Sequence, residues 1–165
     1  PGLVVSGINQ GENSGVDLLY SGTVAGALEA AQLGIPAIAV SLASKSYDDF
    51  NTAAEFARSI TRRVIETGLE PGVVLNVNIP PLPRSDIKGV KITTQGDSFY
   101  EESLEKRREN GEVNYYWTRW RKSLNGGGDG SDVRAIREGY ISITPIHARL
   151  TAADIIPKLQ EWDLE

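Results

Sequence analysis

A chain of 165 residues, 40% hydrophobic and 24% charged, is long enough for one domain around one core, and no apolar run approaches the roughly 18 residues of a membrane-spanning helix. Its formal charge of −5 argues against a broad surface for nucleic acid or anionic lipid, while small anionic ligands stay open. Zero cysteines exclude disulfides and thiolate metal sites and suit a reducing, cytoplasmic compartment.

The sequence holds no methionine and begins two residues before the apolar run Leu3, Val4, Val5, so a preceding segment is expected. Residues 3–6 read as a buried strand and 7–20 as a long loop. Residues 21–33 read as a small-residue helix that Gly34 and Pro36 end. A strand at 37–42 follows. Between 48 and 67, Phe50, Ala53, Ala54, Ala57, Ile60 and Val64 share one helical face, and Gly68 and Pro71 close that helix. Residues 73–79 form the next strand. This alternation predicts an α/β fold, a mainly parallel sheet with helices on both faces. Farther on, 90–94 reads as a strand, 99–131 as charged, aromatic and then glycine-rich, and 140–144 as a last strand ending at Pro145. The run NGGGDG at 125–130 reads as a flexible turn. In the tail, 151–165, Thr151 and Asp154 suggest a capping box, and Pro157 starts or kinks a helix. Ile155, Ile156, Leu159 and Trp162 then call for a partner surface, on a second subunit or within their own.

The stretch SGINQGENSGVDLLYSGT, residues 6–23, lies after a strand and before a helix, where α/β sheets place ligands. Ser21, Gly22 and Thr23 open that helix, so free backbone N–H groups and two hydroxyls could receive a phosphate. Neither a Walker A loop nor a G-x-G-x-x-G fingerprint is present. The first basic residue is Lys45, whereas Glu12, Asp17 and Glu29 are acidic, so a phosphate here lacks a nearby side-chain cation. A divalent ion could supply the charge, with Asn9 and Asn13 offering amide oxygens to Mg²⁺ or Mn²⁺. The competing reading makes both asparagines turn residues and Ser21 an N-cap.

SGINQGENSG followed by LYSGTVAGALEA, then GIPAIAVSL, LNVNIP and EGYISITPIHARLT, resembles the survival protein SurE family over residues 3–151. The resemblance implies a Rossmann-like core with a protruding hairpin arm within 99–131. It implies a metal-dependent phosphatase acting on nucleoside 5′- and 3′-monophosphates, sometimes also on polyphosphate, and a homodimer or homotetramer. By the same resemblance one Mg²⁺ or Mn²⁺ is held by an Asp-Asp pair, a Ser and Asn9. Asn13 then contacts the phosphate or the ligand sphere, and Ser21, Gly22 and Thr23 hold the phosphate. The Asp-Asp pair and the Ser have no counterpart in these residues, which implies that the isolated chain is inactive. It also keeps open a catalytically empty nucleotide- or phosphate-binding module.

Other candidates read as structural. His147, the single histidine, receives no role, and Asp48-Asp49 open the 48–67 helix, where Asp48 can cap. YYWTRWRK at 115–122 interleaves aromatics with bases. Six bases face five acids across 99–125, however, and alternation of Tyr115, Trp117, Arg119 against Tyr116, Thr118, Trp120 fits a half-exposed hairpin strand. One of these aromatics could reach substrate.

Overall fold

Three apolar strands set the frame: β1 (Val4–Gln10), β2 (Ala37–Leu42) and β3 (Val73–Ile79) pair in parallel in that order. The computed structural model describes residues 1–47, 49–97, 100–109, 112–122 and 127–164, with side chains in the strands 100–109 and 112–122 described for Glu105 and Tyr116. β4 (Val90–Ile92) and β7 (Ile141–His147) complete a five-stranded sheet of order β1-β2-β3-β7-β4, in which the β3–β7 pairing is antiparallel. β5 (Tyr100–Glu109) and β6 (Glu112–Lys122) form a separate antiparallel ribbon within the expected arm. The YYWTRWRK segment therefore lies on a hairpin strand. Its Tyr116 is 60% exposed, and its other side chains lie outside the described residues.

The helices divide between the faces. α1 (Gly22–Gln32) lays Val24, Ala27, Ala30 and Ala31 against Ala37, Ala39 and Val74. α2 (Asn51–Thr67) buries Ala53, Ala57 and Val64 against Ile38, Val40, Leu42, Val77, Ile79, Ile141 and Ile143 on the opposite face. Period-two alternation along β2 and β3 separates these two sets. Toward the carboxyl ends of β2 and β3, the α1 face turns polar. Ser41, Asn76, Asn78, Ser142 and Thr144 are all buried there, and Thr93 bonds Ser142 and Thr144 at 2.8 Å each.

Four elements differ from expectation. β1 runs four residues beyond Ser6, because its ladder to β2 resumes at Asn9 after a register shift. Gly7 permits this: its φ is +122°, and a Cβ there would lie 2.3 Å from the Val40 carbonyl oxygen. α2 starts at Asn51, not 48, and Asp49 Oδ1 accepts from the Asn51 N–H at 2.9 Å, while Asp48 lies outside the described residues. A six-residue helix, α3 (Asp132–Arg137), was too short to show a period. β7 passes through Pro145. Ile141 donates to Gly89 and Ile143 accepts from Thr93, so position 145 faces the same side beyond the end of β4, where a missing N–H costs no ladder bond. The tail carries α4 (Ile156–Gln160), with Pro157 in its first turn. No helix among the described residues is long and apolar enough to cross a membrane.

Candidate functional site

The carboxyl end of β1, the loop after it, the start of α1 and the loop after β2 enclose a cleft of about 600 Å³. Parallel neighbours put their carboxyl ends side by side, so residues 9–13 and 43–45 meet although thirty positions apart in sequence. The cleft brings together Asn9, Asn13 and Ser21. Gly22 and Thr23 stand beside it on the first turn of α1, Gly22 exposed and Thr23 half-buried.

Each has a definite setting. Asn9 ends a strand rather than lying in a loop, and its Nδ2 donates to Gly11 O at 2.9 Å, which leaves Oδ1 as the atom for a cation. Ser21 is the N-cap of α1, its Oγ accepting from Val24 N–H at 3.1 Å. The hydroxyl proton is not used by that bond and can still be donated. The N–H groups of Gly22 and Thr23 precede the first intrahelical bond, which runs from Ala25 to Ser21 O. Among the described residues, no heavy atom beyond its chain neighbours and its own helix backbone lies within 4 Å of the Cβ position of Gly22, so an anion can approach that backbone closely.

Asn13 is buried and locked. Its Nδ2 donates to Ser41 Oγ at 2.7 Å, its N–H to Asn78 Oδ1 at 2.8 Å, and its carbonyl accepts from Asn76 Nδ2 at 2.8 Å and Asn78 Nδ2 at 3.0 Å. Two residues on, Gly15 N–H donates to Asp132 Oδ2 and Gly15 O accepts from Gln95 Nε2, both at 2.9 Å. None of these partners was picked out from the sequence as a site residue. Asn76 and Asn78 could have been: asparagine at i and i+2 of an apolar strand places two amides on one buried face.

One electrostatic expectation is corrected. The sequence around residues 6–23 offers a phosphate no base, yet Lys45 lines the same cleft, its Cγ and Cε 3.7 Å from the Cβ position of Gly11. Sheet adjacency supplies the cation that the contiguous stretch lacks. Glu12 and Asp17 also line the cleft. Hydrogen bonds from Lys91 and then Arg134 hold the Glu138 carboxyl down at about 2, and Arg134, bonded to Glu138 and beside Asp129, is raised.

Among the described residues no three of His, Cys, Asp and Glu converge as a metal cage. The carboxyl, amide and hydroxyl oxygens that line the cleft, Asn9 Oδ1 among them, are of the donor type that a hard divalent ion takes.

The family model described as "Survival protein SurE" matches residues 1–102. The chain belongs to the SurE family. Among similar proteins, the 5′-nucleotidase SurE of Symbiobacterium thermophilum is 46% identical over 164 residues, which cover 99% of this chain and 64% of that protein. The 5′-nucleotidase SurE of Syntrophobacter fumaroxidans is 44% identical over 164 residues, covering 99% and 66%. The crystal structure of the SurE protein from Aquifex aeolicus superposes with a TM-score of 0.86 at 38% identity, covering 97% of this chain and 64% of that one. This SurE-family chain thus spans just under two thirds of the length of these relatives.

Proposed function

We propose that the protein containing this chain is a metal-dependent 5′-nucleotidase that releases phosphate from nucleoside 5′- and 3′-monophosphates. The observation that carries this reading is the convergence of Asn9, Asn13, Ser21 and Lys45 on one cleft at the head of α1, in a chain whose relatives bear the name 5′-nucleotidase SurE. In this reading the phosphate sits on the first turn of α1. The Gly22 and Thr23 N–H groups and the Ser21 and Thr23 hydroxyls donate to its oxygens, and the helix dipole favours its charge. Lys45 adds a counter-charge from the second loop. These donors are fixed before substrate arrives, so they stabilise charge as it develops on the transferring phosphoryl group. Asn9 Oδ1 ligates one Mg²⁺ or Mn²⁺, with carboxylate ligands from residues outside these 165. When bound, that ion polarises the phosphoryl oxygens and lowers the pKa of a water. Asn13 holds its place against Ser41 and presents the rest of its amide to the phosphate or the ligand sphere.

The same reading makes the protein a cytoplasmic homodimer or homotetramer. Its apolar tail supports assembly: Leu159 is 43% and Trp162 63% exposed in the single chain, so Trp162 does not pack into its own core. A phosphate-release assay tests the activity, with AMP and 3′-AMP as substrates for the full-length protein and for residues 1–165, with and without chelator. Chelator-sensitive release by the full-length protein supports the reading. Tight AMP binding without release would instead establish a catalytically empty binding module.

A further inference from the structure

Asp132 is fully buried and opens α3, yet that helix does not need it as a cap, because Ser131 Oγ already accepts from Arg134 N–H. Its oxygens serve three segments instead. Oδ2 accepts from Gly15 N–H at 2.9 Å, and Oδ1 accepts from Gly96 N–H at 2.9 Å and Val133 N–H at 2.7 Å. Gly15 is 117 positions away in sequence and Gly96 is 36. A buried carboxylate is costly unless hydrogen-bonded, and charge-assisted bonds to backbone N–H are among the stronger ones. Such a group fixes whatever it holds.

What it holds is the site loop and the base of the arm. Gly15 is gripped on its N–H by Asp132 and on its carbonyl by Gln95, two residues after Asn13 is gripped by Asn76 and Asn78. The backbone between the strand end that carries Asn9 and the turn leading to Ser21 is therefore pinned at two adjacent points. At the arm, Thr94 bridges Ser131, Thr94 N–H donates to Gly130 O at 3.0 Å, and Asp132 N–H donates to Thr94 O at 2.9 Å. The first strand of the ribbon begins four positions after Gly96, and the second ends ten positions before Asp132.

We propose that Asp132 is a positioning residue of the reaction, a clamp through which the base of the arm holds the loop of Asn9 and Asn13 in the geometry that phosphate and cation require. The proposal rests on the nucleotidase reading. Its test uses the full-length protein and Asp132→Asn, which keeps the size but turns one oxygen into a donor facing an N–H. Gly15 amide exchange by NMR, Mn²⁺ affinity by calorimetry, and kcat and KM for AMP are measured well below the melting temperature. In Asp132→Asn the Gly15 amide loses protection, and the Mn²⁺ Kd rises and kcat/KM falls by on the order of tenfold or more, the scale for partners that orient ligands. Should that variant not fold, Gly96→Ala presses on the clamp from the arm side, since its Cβ would lie 3.0 Å from Asp132 Oδ1 and 3.1 Å from Val133 Cγ2. A loss in the same direction is then expected. Arg134→Ala removes the ion pairs of α3 to Asp129 and Glu138 without touching the clamp, and leaves Kd and kcat/KM unchanged. Unchanged Kd and kcat/KM in Asp132→Asn, or an equal loss in Arg134→Ala, would overturn the proposal. Wild-type protein that neither binds Mn²⁺ nor hydrolyses AMP overturns the nucleotidase reading instead. The clamp is then judged on exchange alone, where unaltered Gly15 protection in Asp132→Asn sinks it.

Discussion

Asn76 and Asn78 are identical residues, two apart on β3, equally buried, and both bonded to Asn13, yet alanine should be far costlier at one than at the other. Asn78→Ala removes two hydrogen bonds and leaves the Asn13 N–H without its acceptor. At about 1 kcal/mol per bond and about 1–3 kcal/mol for a newly unsatisfied buried donor, that amounts to about 3–5 kcal/mol. Asn76→Ala removes one bond, and it also removes Asn76 Oδ1, a buried oxygen with no partner among the described residues. Losing the bond costs about 1 kcal/mol, and deleting the orphan oxygen returns a comparable amount. The side-chain volume lost is the same in both, so cavity costs largely cancel in the comparison. The two variants should differ by at least about 2 kcal/mol. With a urea slope of about 1–3 kcal/mol per molar, that separates their unfolding midpoints by about 0.7 M or more. Midpoints that agree within about 0.2 M would refute the assignment of Asn78 as the anchor of the site loop.

Lys45→Ala should raise KM for AMP severalfold and flatten its dependence on salt, while affinity for uncharged adenosine holds. An unchanged KM would show that the ammonium does not meet the phosphate. Glu138 titrates at about 2 when folded against 4.5 ordinarily, so its ion pairs with Lys91 and Arg134 stabilise the fold fully above about pH 5, and that contribution fades as pH falls toward 2. A melting-temperature gap between wild type and Glu138→Gln should follow the same course, and a gap that widened on acidification would contradict it. Trp162→Ser together with Leu159→Ser should shift light-scattering mass toward the monomer at micromolar protein. A wild type already monomeric would remove the tail from any interface.

The sequence showed most where chemistry is contiguous. Strands 37–42 and 73–79 are read to the residue because their apolar runs end at turn formers, and Asn9, Asn13 and Ser21 fall within one stretch. β1 was read short because Gly7 and Asn9 are poor strand formers, and only the close approach to Val40 explains glycine there. Lys45 and Asp132 escaped for a different reason. They reach the site loop by sheet adjacency and by a return of the chain after the arm, relations that no local period encodes. Ser21 illustrates a double reading that folding leaves in place, since the hydroxyl that caps α1 by accepting can still donate.

The unequal faces of the sheet bear on how the protein breathes. On the α2 side, Ile38, Val40, Leu42, Val77, Ile79, Ile141 and Ile143 bury large branched surfaces, whereas the α1 side rests on alanines and a buried polar patch. Apolar area sets most of the free energy that holds an element down, so α1 itself, unlike the loop before it that buried hydrogen bonds pin, forms the weaker cooperative unit. Partial opening should begin there and spare the α2 half. If, as in the proposed function, an anion binds at the head of α1 in the closed form only, that ligand would act as the missing mortar of that half, and the saturated protein should lose its unevenness under protease or exchange.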